Sequence, residues 1–315
     1  MFNLIERINK LKKEKNAIIL AHSYQNIEID KVADFVGDSL YLSQKAKETN
    51  ADIIVFAGVY FMAQTAKIIS PEKKVLLPNL HAGCLMADMI NLNQAIEFKK
   101  NHPNIPMVCY INSTAEVKSV CDICCTSSNA VEIVKSLNSN KVLFIPDKNL
   151  GKYVETQLDD VEVITYNGCC PVHDNVTEQN IIDARKKYPK AKILIHPECL
   201  TEVTLLGDYV GSTSGIIDYV KNSPEKQFVI VTEKGVADRL RRDYPEKEFF
   251  LISENMLCES MKLTTLEEIL NSLENEVNEV MLDEEVRKLS SSCIERMLKV
   301  SKWQKQTILY MEKML

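Results

Sequence analysis

Short, continuous apolar runs recur along this chain at regular intervals, separated by stretches whose apolar positions repeat every three to four residues. Three β-rich runs open at matching places: Asn16 to Ala21 (NAIILA), Ile105 to Ile111 (IPMVCYI) and Ala191 to His196 (AKILIH). About 35 residues later come Ala51 to Ala57, Lys141 to Pro146 and Gln227 to Thr232, and a third set follows at Lys74 to Leu77, Val161 to Tyr166 and Glu248 to Ile252. Apolar runs of this length without alternation predict strands covered on both faces, as in parallel sheets. Between them, Ile29 to Val36, Ala115 to Val120 and Glu202 to Val210 predict a first helix in each unit. A second helix opens on Gly37-Asp38-Ser39, Thr126-Ser127-Ser128 and Gly211-Ser212-Thr213-Ser214, clusters with N-cap chemistry.

The intervals are regular enough to be a repeat. A cysteine follows each third strand, and Cys84, Cys170 and Cys258 lie 86 and 88 residues apart; Ser39, Ser127 and Thr213 keep the same period. Strands alternating with helices over short connections predict parallel sheets with right-handed crossovers. The expected fold is therefore α/β: three homologous three-layer α/β domains with parallel sheets, related by a pseudo-threefold axis with the active site at their central junction. The expected boundaries are 1–87 with an N-terminal helix, 88–174, 175–262, and 263–315 for C-terminal helices packing on the repeats. Phe2, Ile5, Ile8 and Leu11 give the N-terminal helix an apolar stripe. Leu266, Ile269, Leu270 and Leu273, then Met297, Val300, Trp303, Ile308 and Met311, do the same for the tail. Both are expected to cover sheet faces.

Composition narrows the partners. The 315 residues are 45% hydrophobic, enough for real cores, and the net charge of −6 comes from Lys and Arg scattered among acids. No basic stripe could neutralise a polyphosphate backbone, so nucleic acid is excluded as the expected partner. Charged residues from Glu6 to Lys15 interrupt any signal-peptide core, and no later stretch reaches the ~18 uncharged residues of a membrane span. No membrane contact and a cytoplasmic location are expected. Neither GxGxxG nor GxxxxGK[ST] occurs, which removes the usual dinucleotide and P-loop readings. Ten cysteines in a reducing compartment point to metal binding, redox chemistry or small buried hydrophobes.

In parallel α/β sheets, ligands collect at the carboxyl ends of strands. His22-Ser23-Tyr24, Tyr110-Ile111-Asn112-Ser113-Thr114 and His196-Pro197-Glu198 follow the first strands, and Cys84, Cys170-Pro171-Val172-His173 and Cys258 follow the third. If the units share an axis, these groups face one cavity, where three thiolates suit either a [4Fe–4S] cluster with one open iron or a Cys₃His zinc site. Cys121, Cys124 and Cys125 form a CxxCC in an expected helix-turn-helix region and lack a second pair. Cys109, Cys199 and Cys293 read as buried small side chains. Cys169 competes with Cys170, which fits the repeat phase better.

These blocks together make the chain strongly resemble quinolinate synthases, the iron–sulfur enzymes of bacterial and archaeal NAD biosynthesis. The resemblance runs from about Asn16 to Met261. It rests on Ala21-His22-Ser23-Tyr24-Gln25, Gly37-Asp38-Ser39-Leu40, Ala82-Gly83-Cys84-Leu85-Met86-Ala87-Asp88, Cys109-Tyr110-Ile111-Asn112-Ser113, Gly168-Cys169-Cys170-Pro171-Val172-His173, His196-Pro197-Glu198-Cys199, Gly211-Ser212-Thr213 and Asn255-Met256-Leu257-Cys258. It implies one [4Fe–4S] cluster on Cys84, Cys170 and Cys258, and the condensation of iminoaspartate with dihydroxyacetone phosphate to quinolinate, losing phosphate and two waters. An L-aspartate oxidase or aspartate dehydrogenase is the implied transient partner. Tyr24, Tyr110, Asn112, Ser127, His173 and His196 would bind substrate carboxylates, and Ser39, Ser212 and Thr213 the triose phosphate. Glu198 would be the general base, with His22, Tyr110 and His196 as the other catalytic candidates. Some family members carry a CxxC near the third ligand, whereas this chain has Cys258 alone there. Two other readings compete: another three-cysteine cluster enzyme, such as a diphthamide-type radical enzyme or an isoprenoid reductase, and a zinc or redox-sensing protein built on Cys121, Cys124 and Cys125.

Overall fold

The computed structural model describes residues 2–312, with side chains described over 3–301. Three four-stranded parallel sheets form, one per sequence unit. The first unit contains β1 (Ala17–His22), β2 (Phe35–Gly37), α2 (Ser39–Glu48), β3 (Ile53–Ala57), α3 (Tyr60–Ile69) and β4 (Lys74–Leu76), preceded by α1 (Phe2–Glu14). The second contains α4 (Leu92–Asn101), β5 (Met107–Tyr110), α5 (Ala115–Lys118), β6 (Ile123–Cys125), α6 (Ala130–Ser136), β7 (Lys141–Ile145), α7 (Lys148–Thr156), β8 (Glu162–Thr165) and α8 (Pro171–Asp174). In the third come α9 (Glu178–Lys187), β9 (Lys192–Ile195), α10 (Thr201–Thr204), β10 (Tyr209–Val210), α11 (Thr213–Asn222), β11 (Gln227–Val231), α12 (Lys234–Asp243), β12 (Glu248–Leu251) and α13 (Glu259–Lys262). The strand orders are β2-β1-β3-β4, β6-β5-β7-β8 and β10-β9-β11-β12, the same order three times.

All nine strands expected from the apolar runs are present. The fourth strand of each sheet was not legible, and two expected first helices are corrected by it. Ile29 to Val36 divides into a 3₁₀ turn over Ile27–Lys31 and β2, and Glu202 to Val210 divides into α10 and β10. In the second unit α5 is present, but Cys124 and Cys125 lie on β6 rather than in a helix-turn-helix. Strands of two or three residues carry no period to read; pairing with β1, β5 and β9 alone defines them.

A side-chain device anchors each of these edges. Asp34, Asp122 and Asp208 accept the backbone N–H of Ile19, Met107 and Ile193 at 2.7, 2.7 and 2.8 Å, tying the loop before the edge strand to the central strand. Each carboxylate is also paired with a cation from the helix preceding its central strand: Lys12 at 2.8 Å, Lys99 at 3.0 Å and Arg185 at 3.1 Å. Hydrogen bonds to a charged acceptor are among the stronger ones, so the same fixing recurs in all three units.

Ile8 of α1 and Ile269, Leu270 and Leu273 of α14 (Leu266–Asn275) pack with Ile19, Ile53 and Val55 on one face of the first sheet. Cys293, Ile294, Met297 and Leu298 of α15 (Glu284–Glu312) join the core that contains β5 and β6. Both terminal regions thus cover sheet faces as expected; the side chains of Trp303, Ile308 and Met311 lie outside the described residues. The first and third units are joined through Arg239, which is buried, donates to the carbonyl oxygens of Ser23 and Gln25, and pairs with Asp30 at 2.5 Å. Among the described residues no helix is long and apolar enough to cross a membrane.

Candidate active site

The carboxyl ends of the strands open onto one cavity of about 430 Å³. His22 ends β1, Tyr110 ends β5 and His196 follows β9, so the three central strands each deliver a side chain to its wall. Tyr24, Ser39, Asn112, Ser127, His173, Glu198 and Thr213 line it as well, as do Cys84, Cys170 and Cys258. Of the sequence-predicted site residues Ser212 alone is not on the wall. It is the N-cap of α11, with its hydroxyl accepting the Gly215 N–H at 3.1 Å. Ser39 and Thr213 are the first residues of α2 and α11, so two ten-residue helices begin at the cavity, where their first backbone N–H groups have no partner within the helix. The third hydroxyl cluster differs: α6 starts only at Ala130, and Ser127 sits in the turn before it. Ser128 instead donates to Asp38, the N-cap of α2, at 2.7 Å.

Two histidines use one local device. The His22 Nδ1 accepts the backbone N–H of Tyr24 at 3.1 Å, and the His196 Nδ1 accepts that of Glu198 at 3.3 Å. Each ring therefore carries its proton on Nε2 when neutral. Burial lowers His22 to about 4 and His196 to about 3, so both are uncharged donors at neutral pH.

Glu198 is the centre of the polar network. Tyr110 donates its phenolic proton to Oε1 at 2.5 Å, and the His173 Nδ1 lies 2.8 Å from Oε2. Burial works against a charge on this carboxylate, but the charge that the adjoining imidazoles, His196 first, take up in acid and the hydrogen bonds from His173 and Tyr110 outweigh it. The carboxyl is held well below its usual range and is ionised. Burial, reinforced by the Glu198 charge, pushes the phenols of Tyr24 and Tyr110 well up, which keeps both as O–H donors. None of the described lining residues is Lys or Arg, so an anion here would be held by neutral donors and helix ends.

The three cavity cysteines repeat one geometry. Cys84 takes the backbone N–H groups of Met86 and Ala87, Cys170 that of His173, and Cys258 that of Met261. Donors aimed at sulfur favour thiolate, the form that binds metal. As free thiols all three are pushed up first by burial, Cys84 to about 12, and then by nearby negative charge: Cys258 acts on Cys84, Glu198 and then Cys84 on Cys170, and Glu233 on Cys258. Three thiols on the wall of one cavity, one from each unit and each with its own amide donor, fit a cation cluster bound by three sulfurs, because the cluster's positive charge would reverse that penalty. A tighter group also exists: the ligand atoms of Cys170, His173 and Glu198 lie within 4.8 Å of one another. Its members are already hydrogen-bonded, since the His173 Nδ1 is 3.2 Å from Cys170 Sγ.

Cys121, Cys124 and Cys125 do not converge as ligands among the described residues. Cys124 and Cys125 are consecutive on β6 and face opposite sides of the sheet, while Cys121 donates to the carbonyl of Val117 at 3.1 Å. Cys109, Cys199 and Cys293 are buried, as expected. Three groups were missed. Glu233 on the cavity wall pairs with Lys262 at 2.9 Å and caps α12; Asn175 also lines the wall, and Thr232 lies behind it. Thr232 ends a predicted strand and Glu233 follows it directly, which is the one signal that could have marked them.

A family model described as Quinolinate synthetase A protein matches residues 6–299. The quinolinate synthase of Alkaliphilus metalliredigens is 50% identical over 298 residues, covering 95% of this chain and 98% of that protein. Those of Clostridium kluyveri and Clostridioides difficile are 48% and 46% identical over 297 and 299 residues, covering 94% and 95% of this chain and 98% of each relative. With the cavity, its three cysteines and this similarity along nearly the whole chain, the protein belongs to the quinolinate synthetase A family.

Proposed function

We propose that this chain is a quinolinate synthase, condensing iminoaspartate with dihydroxyacetone phosphate and releasing phosphate and two waters. The observation that carries the reading is the ionised Glu198, held by Tyr110 and His173 in one cavity with Cys84, Cys170 and Cys258. A [4Fe–4S] cluster on these cysteines would supply a Lewis-acidic iron with an open position. The three units would be domains with boundaries near residues 87, 174 and 262 about a pseudo-threefold axis, a reading supported by their common strand order.

Glu198 accepts protons from substrate carbon and nitrogen during enolisation and ring closure, and returns them to departing oxygen. The Tyr110 O–H holds the carboxylate in place and moderates its basicity. His22 and His196, protonated on Nε2, donate to substrate carboxylates or carbonyl oxygen without adding charge, as do Tyr24, Asn112 and Ser127. Ser39 and Thr213, at the ends of α2 and α11, receive the triose phosphate, with Ser212 fixing the α11 end behind them. Iminoaspartate must come from an enzyme that oxidises aspartate at its amine, an L-aspartate oxidase or an aspartate dehydrogenase.

An anaerobic assay decides the reading. Protein reconstituted with iron and sulfide should form quinolinate from the two substrates, and protein without iron should not. Absence of quinolinate from fully loaded protein would overturn it.

A further inference from the structure

Thr232 is fully buried directly after β11 and is not on the cavity wall. Its hydroxyl nevertheless touches two groups that are. Oγ1 lies 2.9 Å from the Tyr24 Oη and 3.0 Å from the His173 Nε2. The repeat sharpens the point. Gly58 and Pro146 occupy the same place after β3 and β7, between the last strand residue and the helix N-cap, and neither has a hydroxyl. The first and second units are built without this group, so the fold does not require it.

Hydrogen-bond logic gives the hydroxyl a direction. The His173 Nδ1 faces two acceptors, Glu198 Oε2 at 2.8 Å and Cys170 Sγ at 3.2 Å, so the ring proton belongs there. In the neutral ring Nε2 is then bare and accepts, and Thr232 Oγ1 supplies its single proton. That leaves the Thr232 oxygen to accept from Tyr24, whose own oxygen accepts from Thr213 Oγ1 at 3.2 Å. Donors run one way from the start of α11 to Glu198, and Thr232 is the link that serves both the phenol and the imidazole.

We propose that Thr232 is a positioning residue: it holds His173 in the Nδ1–H tautomer and aligns Tyr24, so that both sides of Glu198's surroundings are set from one buried hydroxyl. Its kinetic part rests on the quinolinate synthase reading above.

The test compares Thr232→Val, which keeps the shape and removes the hydroxyl, with Thr232→Ser, which restores it. In anaerobically reconstituted protein, Thr232→Val should lower kcat by about 10- to 100-fold with KM within about threefold and iron content unchanged, as loss of an outer hydrogen-bond partner does elsewhere. Thr232→Ser should return kcat to within about threefold of the parent. Ring-¹⁵N NMR of labelled histidines should report a fixed Nδ1–H tautomer for His173 in the parent and the Ser variant, and averaged tautomers in the Val variant. A Val variant with kcat within threefold of the parent, a Ser variant as impaired as Val, or an unchanged His173 signal in Val would each overturn the assignment. If the parent itself forms no quinolinate, the functional reading fails, and the tautomer comparison still decides the role of Thr232.

Discussion

Tyr110 and Glu198 share a 2.5 Å hydrogen bond although 88 positions separate them, one full repeat of the chain. A residue at the end of the second unit's central strand therefore holds the acid delivered by the third. Glu198→Gln keeps the shape and removes the base, so kcat should fall on the order of 10²- to 10⁴-fold with the cluster spectrum unchanged. Tyr110→Phe, which deletes only the donor, should cost less, about tenfold. Steady-state kinetics check both. If Glu198→Gln turned over within threefold of the parent, the base would have to be sought at His22, Tyr110 or His196.

The repeated cysteine geometry sets an iron count. Cys84→Ser, Cys170→Ser or Cys258→Ser should abolish the cluster and activity, with the parent binding about four irons and four sulfides. Cys124→Ser should leave both intact, because Cys124 is buried against Cys293 with sulfurs 3.1 Å apart, away from the cavity wall. Iron and acid-labile sulfide analysis separates these outcomes, and an iron-free Cys124→Ser variant would refute the ligand assignment.

Phosphate binding should report on the helix ends. Ser39→Ala and Thr213→Ala each remove a hydroxyl at the first residue of a helix, weakening triose phosphate binding by roughly 1 to 2 kcal/mol, about a tenfold rise in KM. Thr213→Ala also frees the Tyr24 oxygen from its donor, so it should be the more damaging of the two. Unchanged KM in both variants would move the phosphate elsewhere.

Stability should fall on mild acidification. His22 stands at about 4 and His196 at about 3 against an ordinary 6.5, because both rings are buried uncharged. The unfolded chain then binds protons before the folded one does. This contribution is full above pH 6.5 and is lost as the pH falls toward 4 and 3; for His22 alone it is on the order of 3 kcal/mol. Ring-¹⁵N spectra at pH 5.5 should show these two imidazoles still neutral, and the urea midpoint should drop between pH 7 and 5.5. Titration of both rings near 6.5 would contradict the burial seen here.

What the chain's own pattern determined was whatever depends on local burial and on the repeat. Nine strands, the class of fold and the strand-end positions of His22, Tyr110 and His196 follow from apolar runs and their carboxyl ends. The period of 86 and 88 residues marks Cys84, Cys170 and Cys258, with Cys170 only slightly better in phase than Cys169, and all three line the cavity. Tertiary structure decided the rest, because the interactions concerned join residues with no local relation. The edge strands β2, β6 and β10 exist through pairing alone, and Asp34, Asp122 and Asp208 share the repeat period but show their purpose only once the central strand is beside them. Cys124 and Cys125 looked like a helix-borne motif until the strand turned them to opposite faces. Thr232 reads as the end of an apolar strand, and only the approach of Tyr24, 208 positions away, and of His173, 59 away, makes its hydroxyl matter. Burial is written in the side chains of each segment, whereas the direction of a hydrogen bond depends on which groups folding brings within 3 Å of one another.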